Sequence, residues 1–167
     1  LWAGGGWQVN LDSVFPSAIV DGHRMVNTPN GDCIIANIPF EPVPSGINFI
    51  QFKSKNGEIC CNGFKSIEAN ELLLLDIEEF EYLPLNNKYI IIYTADYRVY
   101  YQIIESFDPL IVQPRHILDE EPEGTSINSL YDFFITENDT SIEIGMIKTN
   151  AFSPPVAEFK RFIIPNI

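Results

Sequence analysis

Two segments in the second half of the chain are apolar on both sides, and this feature constrains the fold more than any other. The segments are Lys88 to Thr94 and Arg98 to Glu105. In the first, both alternating sets of side chains are large and apolar: Tyr89, Ile91 and Tyr93 in one set, Ile90 and Ile92 in the other. Because successive side chains of a β-strand point to opposite faces, such strands must be covered on both faces.

Short segments separated by turn residues predict an all-β protein. Twelve Pro and ten Gly are spread along the 167 residues, as in domains with many short strands. Lys55-Asn56-Gly57 predicts a tight hairpin between strands at Ile47 to Ser54 and Glu58 to Phe64, because Asn-Gly readily adopts positive φ angles. Further strands are predicted at Cys33 to Ile38, Leu72 to Ile77, Lys88 to Thr94, Arg98 to Glu105, Leu110 to Gln113 and Ile142 to Thr149, with a first one near Trp7.

One amphipathic helix is predicted towards the C-terminal end. Four apolar residues recur at the spacing of a helix face: Ile127, Leu130, Tyr131 and Phe134. A lone helix covers one face of a sheet, so the other face is sheltered if the sheet closes on itself, although periodicity alone also allows a sandwich. We therefore expect one all-β domain over residues 1–167, an eight-stranded antiparallel up-and-down barrel with one C-terminal α-helix packed outside.

The charge of the chain excludes some partners. With 10 Lys and Arg against 23 Asp and Glu, the net charge is -13, which repels phosphate backbones, so no nucleic-acid partner is expected.

Apolar runs such as Leu72 to Leu75 are far shorter than the roughly 20 residues of a membrane-spanning helix, so no membrane span is expected. The chain begins at Leu1 without a leader, and we expect a processed, secreted protein.

Three motifs occur in the order and spacing of one family. They are Gly5-Gly6-Trp7, the turn Asp96-Tyr97-Arg98-Val99-Tyr100, and Arg115 ahead of the predicted helix. With these motifs the chain resembles the lipocalins, secreted barrels that bind small hydrophobic molecules. The resemblance implies that Arg115 stacks on Trp7 at the closed end of the barrel, a structural role for both. The chain departs from the family in the displaced Thr of Thr94-Ala95-Asp96-Tyr97 and in having no Cys after Cys61.

The resemblance also implies a ligand site inside the barrel. Counting in twos from the motifs, with Lys53 facing water, gives the lumen residues Ile50, Phe52, Ile90, Ile92, Tyr101, Ile103, Ile111 and Gln113. A lumen of this kind suits a carotenoid, bilin, retinoid, fatty acid or steroid, and it requires no cofactor. The same side chains would equally fill a solid core.

The cysteines leave several outcomes open. Cys33 could form a disulfide with Cys60 or Cys61, and since neighbours on a strand point to opposite faces, only one of the two should suit. The cysteine spacing matches no zinc pattern, and with only two isolated histidines no catalytic residue or metal ligand is predicted. Asn138-Asp139-Thr140 is a glycosylation sequon, as in a secreted glycoprotein.

Three functions follow from these observations. The first is a carrier or storage protein for a small apolar compound, for example a pigment. The second is a barrel enzyme with a lumenal Cys60 or Cys61 as nucleophile, as in lipocalin-type isomerases. The third is an interaction module whose surface side chains contact a protein partner, for which we expect no cavity and a large exposed apolar patch. Homo- and hetero-oligomers are compatible with all three.

Overall fold

The chain is described by a computed structural model over residues 23–38, 46–53, 56, 58–59, 65–68, 75–120, 129–150 and 156–165. These residues form twelve β-strands in three antiparallel sheets, and none of them is helical. No sheet among them closes on itself. The described part is all-β, but the predicted eight-stranded up-and-down barrel with an outer C-terminal helix is wrong.

The N-terminal sheet contains four strands. In spatial order they are β1 (His23–Asn27), β2 (Cys33–Asn37), β3 (Gly46–Phe52) and β4 (Lys65–Glu68). The chain turns after β3 where the Asn-Gly sequence predicts it, since the Lys53 N–H donates to the Glu58 carbonyl at 2.8 Å and Phe52 pairs with Ile59. Residues 60–64 of the predicted second strand lie outside the described residues.

The central sheet contains five strands. They are β5 (Asp76–Leu83), β6 (Lys88–Ala95), β7 (Arg98–Phe107), β8 (Leu110–Val112) and β9 (His116–Glu120). β5, β6 and β7 are consecutive neighbours, and the far edge of β7 pairs with β8 over one half and with β9 over the other. The strands predicted from two-sided apolarity are therefore the middle of this sheet.

The C-terminal sheet contains β10 (Ser129–Glu137), β11 (Ser141–Asn150) and β12 (Ala157–Pro165), in that order. The predicted helix falls on β10 and is wrong. As a strand, β10 directs Tyr131, Phe133 and Ile135 towards the central sheet. It leaves Leu130 and Phe134 exposed, at 72% and 47%. The helical spacing was misleading because it treated all four apolar residues as members of one buried face.

The central sheet lies between the other two, and this explains why its strands are apolar on both faces. One apolar cluster includes Ile34, Phe49, Ile91 and Tyr93, and the other includes Ile90, Ile92, Ile144 and Met146. The second face of the central sheet is thus sheltered by another sheet and not by closure into a barrel. A three-layered sandwich satisfies the same requirement that favoured a barrel.

Polar side chains tie the C-terminal sheet to the central one. The Glu137 carboxylate at the end of β10 accepts hydrogen bonds from the backbone N–H groups of Leu85 and Asn86, at 2.8 and 2.9 Å, in the β5–β6 turn. On β9, the Asp119 carboxylate accepts from Lys148 Nζ at 3.1 Å and from Lys160 Nζ at 2.6 Å. These polar contacts therefore hold the two sheets in place, in addition to the burial of apolar surface between them.

The turn between β6 and β7 has the geometry of a type I′ hairpin. Ala95 pairs with Arg98, and the two residues between them have positive φ angles, 49° for Asp96 and 66° for Tyr97. This backbone twist suits a tight hairpin, but a residue with a Cβ is strained in it. The Asp-Tyr motif therefore has a local structural role that does not depend on a barrel.

Replacing Tyr97 by glycine should relieve this strain. We expect the Tyr97→Gly variant to be more stable than Tyr97→Ala by about 1 kcal/mol, because both lack the ring and only glycine adopts the positive φ freely. Equilibrium unfolding in urea of both variants isolates the backbone contribution. Equal stability of the two would contradict the assigned turn type.

Candidate functional site

Four of the eight expected lumen residues lie together, but they are packed and do not line a lumen. Ile90, Ile92 and Ile103 are at most 3% exposed on the face of the central sheet that meets the C-terminal sheet. Tyr101 packs beside them, and its ring stacks on His116 at 5.1 Å between centroids. Burial raises the pKa of Tyr101, which therefore stays a neutral phenol. These side chains fill the interface between two layers.

Three of the other four are elsewhere, and Gln113 lies at the margin of this interface, where its backbone N–H donates to the Ile103 carbonyl at 2.8 Å. Ile50 and Phe52 are buried on the face of the N-terminal sheet opposite Phe49, which packs on the central sheet. Ile111 on β8 is 46% exposed, and the Gln113 side chain donates to Glu105 at 2.9 Å. The structure therefore does not bring the eight residues to one site, because they belong to different sheets and faces.

A shallow cleft opens at one end of the interface between the central and C-terminal sheets. It is lined by Asn86, Lys88, Ile103, Gln113, Ile142, Ile164 and Pro165. Its enclosed space is that of about one water molecule. A carotenoid, bilin, retinoid or fatty acid does not fit in this cleft.

The motif residues that carry the lipocalin resemblance take local structural roles. Asp96 and Tyr97 form the β6–β7 turn, and the Tyr100 ring stacks on Tyr93 at 5.4 Å between centroids. The Arg115 guanidinium lies over the Tyr100 ring, 5.6 Å from its centroid. Trp7 lies outside the described residues, so the stacking of Arg115 on Trp7 stays a prediction.

The cysteine predictions concern mostly residues outside the described ranges, namely Cys60 and Cys61. Cys33 is buried and carries a free thiol, and burial raises its pKa. A protonated, buried thiol is a poor nucleophile. The side chain of Cys33 is therefore best understood as a small apolar group of the N-terminal sheet.

The predicted sequon occupies the turn between β10 and β11. Asn138 is exposed, and its Oδ1 accepts hydrogen bonds from the backbone N–H groups of Thr140 and Ser141, both at 2.9 Å. The Thr140 hydroxyl donates to the same oxygen at 2.9 Å. These bonds stabilise the tight turn, and glycosylation of Asn138 stays a prediction.

A buried amide in the N-terminal sheet has no partner among the described residues. The Asn37 side chain is fully buried, and neither its Nδ2 nor its Oδ1 makes a hydrogen bond. Such a group typically destabilises a fold by about 1–3 kcal/mol. Asn37 lies beside Ile35 and opposite Asn48, on the face away from the central sheet.

The outer face of the C-terminal sheet is the most unusual surface of the described chain. Five large apolar side chains project from it into solvent: Leu130 (72% exposed), Phe134 (47%), Ile147 (37%), Phe159 (58%) and Ile163 (59%). We call this set the exposed apolar face. Its members come from all three strands. The cross-strand register brings them together on one face, since it places Ile147 opposite Phe159 and Phe134 opposite Gly145.

Two phenylalanines organise the exposed apolar face. The rings of Phe134 and Phe159 are parallel within 6°, with centroids 5.9 Å apart. The Phe134 ring covers Gly145 so closely that a Cβ at position 145 would overlap it. Glycine in the middle of β11 therefore allows an aromatic ring to lie flat on the sheet.

Few charges interrupt this face. Arg161 and Glu143 form an ion pair with an N···O distance of 2.6 Å, and Asp132 is the other charged residue that alternation places on this side. Depletion of charge beside exposed aromatic side chains is typical of protein contact surfaces.

Sequence reasoning missed the exposed apolar face for two reasons. β10 was predicted to be a helix, and β12 was not predicted. The available signal was the alternation of Glu158-Phe159-Lys160 bounded by Pro154-Pro155 and Pro165.

Within the described ranges, no His, Cys, Asp and Glu side chains form a group of three that could hold a metal ion. None of the described segments forms a helix of the length and apolarity needed to cross a membrane. No protein-family model matches the sequence, and no curated protein or solved structure matches it significantly. The resemblance to lipocalins therefore rests on the sequence motifs alone.

Proposed function

We propose that this chain is an interaction module that works by binding a second copy of itself through the C-terminal sheet. The observation that carries the proposal is the exposed apolar face, with its stacked Phe134 and Phe159 rings. Single exposed apolar residues are common on protein surfaces, but a contiguous set on one sheet indicates a contact surface.

The shape and composition of the face favour a protein partner. It is a regular three-stranded sheet surface, so it fits another extended surface better than a small molecule. Phenylalanine and arginine, which it presents at Phe134, Phe159 and Arg161, are enriched in protein interfaces.

The charge distribution favours a second copy as the partner. The whole chain carries a net charge of -13, and a basic partner would bind best to the acidic remainder of the surface. On the exposed apolar face, Arg161 neutralises Glu143, and Asp132 is the remaining charge. Two copies of this nearly neutral surface can meet without placing many like charges opposite one another.

Neither alternative from the sequence has a specific structural observation in its favour. The carrier function depended on a barrel lumen, and the described strands do not enclose one. The isomerase-type function depended on a reactive lumenal thiol, whereas Cys33 is buried with a raised pKa and Cys60 and Cys61 lie outside the described residues.

Self-association should be sensitive to one ring of the face. We expect sedimentation velocity to show a monomer–dimer equilibrium with a dissociation constant in the range of about 1–100 μM, typical of a small interface. The Phe159→Ser variant should weaken it at least about tenfold, because it removes an exposed ring at the edge of the sheet. Leu85→Ser is the matched control, since Leu85 is also 58% exposed but lies in the β5–β6 turn.

Two results would overturn the proposal. One is a wild-type chain that stays monomeric up to several hundred micromolar, roughly the upper limit for a weak specific interface. The other is an equal loss of association in Phe159→Ser and Leu85→Ser. Circular dichroism of each variant, compared with the wild type, checks that the fold is retained.

A further inference from the structure

Gly145 lies near the centre of the exposed apolar face and is covered there by one aromatic ring. It is an outward position of the middle strand β11, with Phe134 opposite it on β10 and Arg161 opposite it on β12. The outer end of the Phe134 ring, Cζ with Cε1 and Cε2, occupies the space that a Cβ at position 145 would need. Gly145 is therefore buried although it lies on the solvent side of the sheet.

The backbone of β11 does not require a glycine at this position. Gly145 pairs in regular register with both neighbouring strands, and it does not have the positive φ angle that Gly31 and Gly46 have. A glycine in the interior of a strand normally weakens the strand, because it has no side chain to pack. What this glycine provides is the space above the strand, and the Phe134 ring fills that space.

The flat ring is a preorganised contact. One side of the Phe134 ring lies on Gly145, and the ring is parallel to that of Phe159 within 6°, yet Phe134 remains 47% exposed. The cation in the same cross-strand row, Arg161, is paired with Glu143 at 2.6 Å. A side chain that is already held in place loses less conformational entropy on binding than a mobile one.

We propose that Gly145 is the positioning residue of the self-association surface: it holds the Phe134 ring flat, and two copies of the chain pack face to face with this ring near the centre of the contact. The inference rests on the proposed self-association and identifies the side chain that contributes most of its affinity. Packing face to face covers the exposed apolar face of both copies, as a two-fold contact between identical surfaces does. Residues that dominate binding lie near the centre of an interface, where aromatic side chains are enriched.

The Gly145→Ala variant tests the position of the ring. The added methyl group overlaps the flat ring, so Phe134 has to move away from the sheet. We expect the dimer dissociation constant, measured by sedimentation velocity, to rise about five- to tenfold. Phe134→Leu removes the ring and should raise the dissociation constant by a similar factor.

The double variant Gly145→Ala/Phe134→Leu separates a role through the ring from a role in the strand. If Gly145 acts through Phe134, adding Gly145→Ala to the Phe134→Leu chain should not change the dissociation constant further, because there is no ring to displace. A further rise by the same factor as in the wild-type background would overturn the inference. If Gly145→Ala alone does not fold, the comparison of the double variant with Phe134→Leu still decides the question.

Proton NMR of the wild-type monomer at low concentration reports the ring position directly. The Gly145 α-protons lie against the face of the Phe134 ring, so ring currents should shift at least one of them upfield relative to the Phe134→Leu variant. Equal chemical shifts in the two chains would contradict the flat ring.

The outcomes for the two proposals are distinguishable. Self-association that Phe159→Ser weakens and Gly145→Ala leaves unchanged would keep the proposed function and reject the role of Gly145. A chain that stays monomeric at all concentrations would reject the proposed function and, with it, this inference.

Discussion

The Ile92→Ala variant should lose about 2–5 kcal/mol of unfolding free energy, because it leaves a cavity in a fully buried cluster between two sheets. Ile91→Ala should lose a similar amount, since Ile91 is equally buried on the opposite face of β6. Each substitution weakens the contact of the central sheet with a different neighbour. Equilibrium unfolding in urea or guanidinium chloride measures both losses.

The same substitution at Ile111 is the control. Ile111 is 46% exposed, and its replacement by alanine should change the free energy of unfolding by less than about 0.5–1 kcal/mol. Comparing the losses of unfolding free energy in Ile92→Ala and Ile111→Ala distinguishes the observed fold from the barrel. In the barrel, Ile92 and Ile111 would line the same lumen and the two losses would be similar. A loss below about 1 kcal/mol for Ile92→Ala would contradict the packing of the central sheet against the C-terminal sheet.

The strands of the central sheet could be predicted because their pattern is local. Runs of β-branched and aromatic residues predict strands at Lys88 to Thr94 and Arg98 to Glu105, and the structure has strands at Lys88–Ala95 and Arg98–Phe107. The same pattern shows that two faces are buried. It does not identify what buries them. In a closed barrel and in a central layer between two sheets alike, the side chains of Ile90 to Tyr93 are covered on both faces of the strand.

The C-terminal sheet was harder to predict, for a reason connected with its proposed role. The usual rule assigns apolar residues to the interior, so Leu130 and Phe134 appeared to share a buried helical stripe with Tyr131. In the structure they lie on the solvent side of a strand. Residues that break the binary pattern are expected where a surface is used for contact, and here they coincide with the exposed apolar face.

Disrupting the ion cluster at Asp119 should cause the second large loss of unfolding free energy. The Asp119 side chain is 8% exposed and lies within 3.1 Å of Lys148 Nζ and 2.6 Å of Lys160 Nζ. Asp119→Asn would leave two ammonium groups close together, with the exposed Glu158 carboxylate, 3.6 Å from Lys160 Nζ, as the remaining counter-charge. Breaking a buried pair typically destabilises a protein by about 3–5 kcal/mol, and because Lys160 is partly exposed and screened, we expect about 2–3 kcal/mol here.

The neighbouring carboxylate provides the control for this variant. Glu120 pairs with Arg98 at 2.6 Å, but both side chains are well exposed. Glu120→Gln removes the same charge one residue away and should change the free energy of unfolding by less than about 1 kcal/mol. Equal losses in the two variants would show that burial does not strengthen the Asp119 cluster.

The contribution of Asp119 should also depend on pH in a defined direction. Burial alone would raise the pKa of this carboxyl, but hydrogen bonds from Lys160 and Lys148 outweigh burial and hold the pKa below its ordinary value. A group with a lowered folded-state pKa stabilises the fold above its unfolded pKa, about 3.9, and loses that contribution as the pH falls through the folded value. The stability difference between wild type and Asp119→Asn should therefore be constant near neutral pH and shrink below about pH 4. A difference that grows on acidification would mean that Asp119 is already protonated in the fold, and the cluster would then not be ionic.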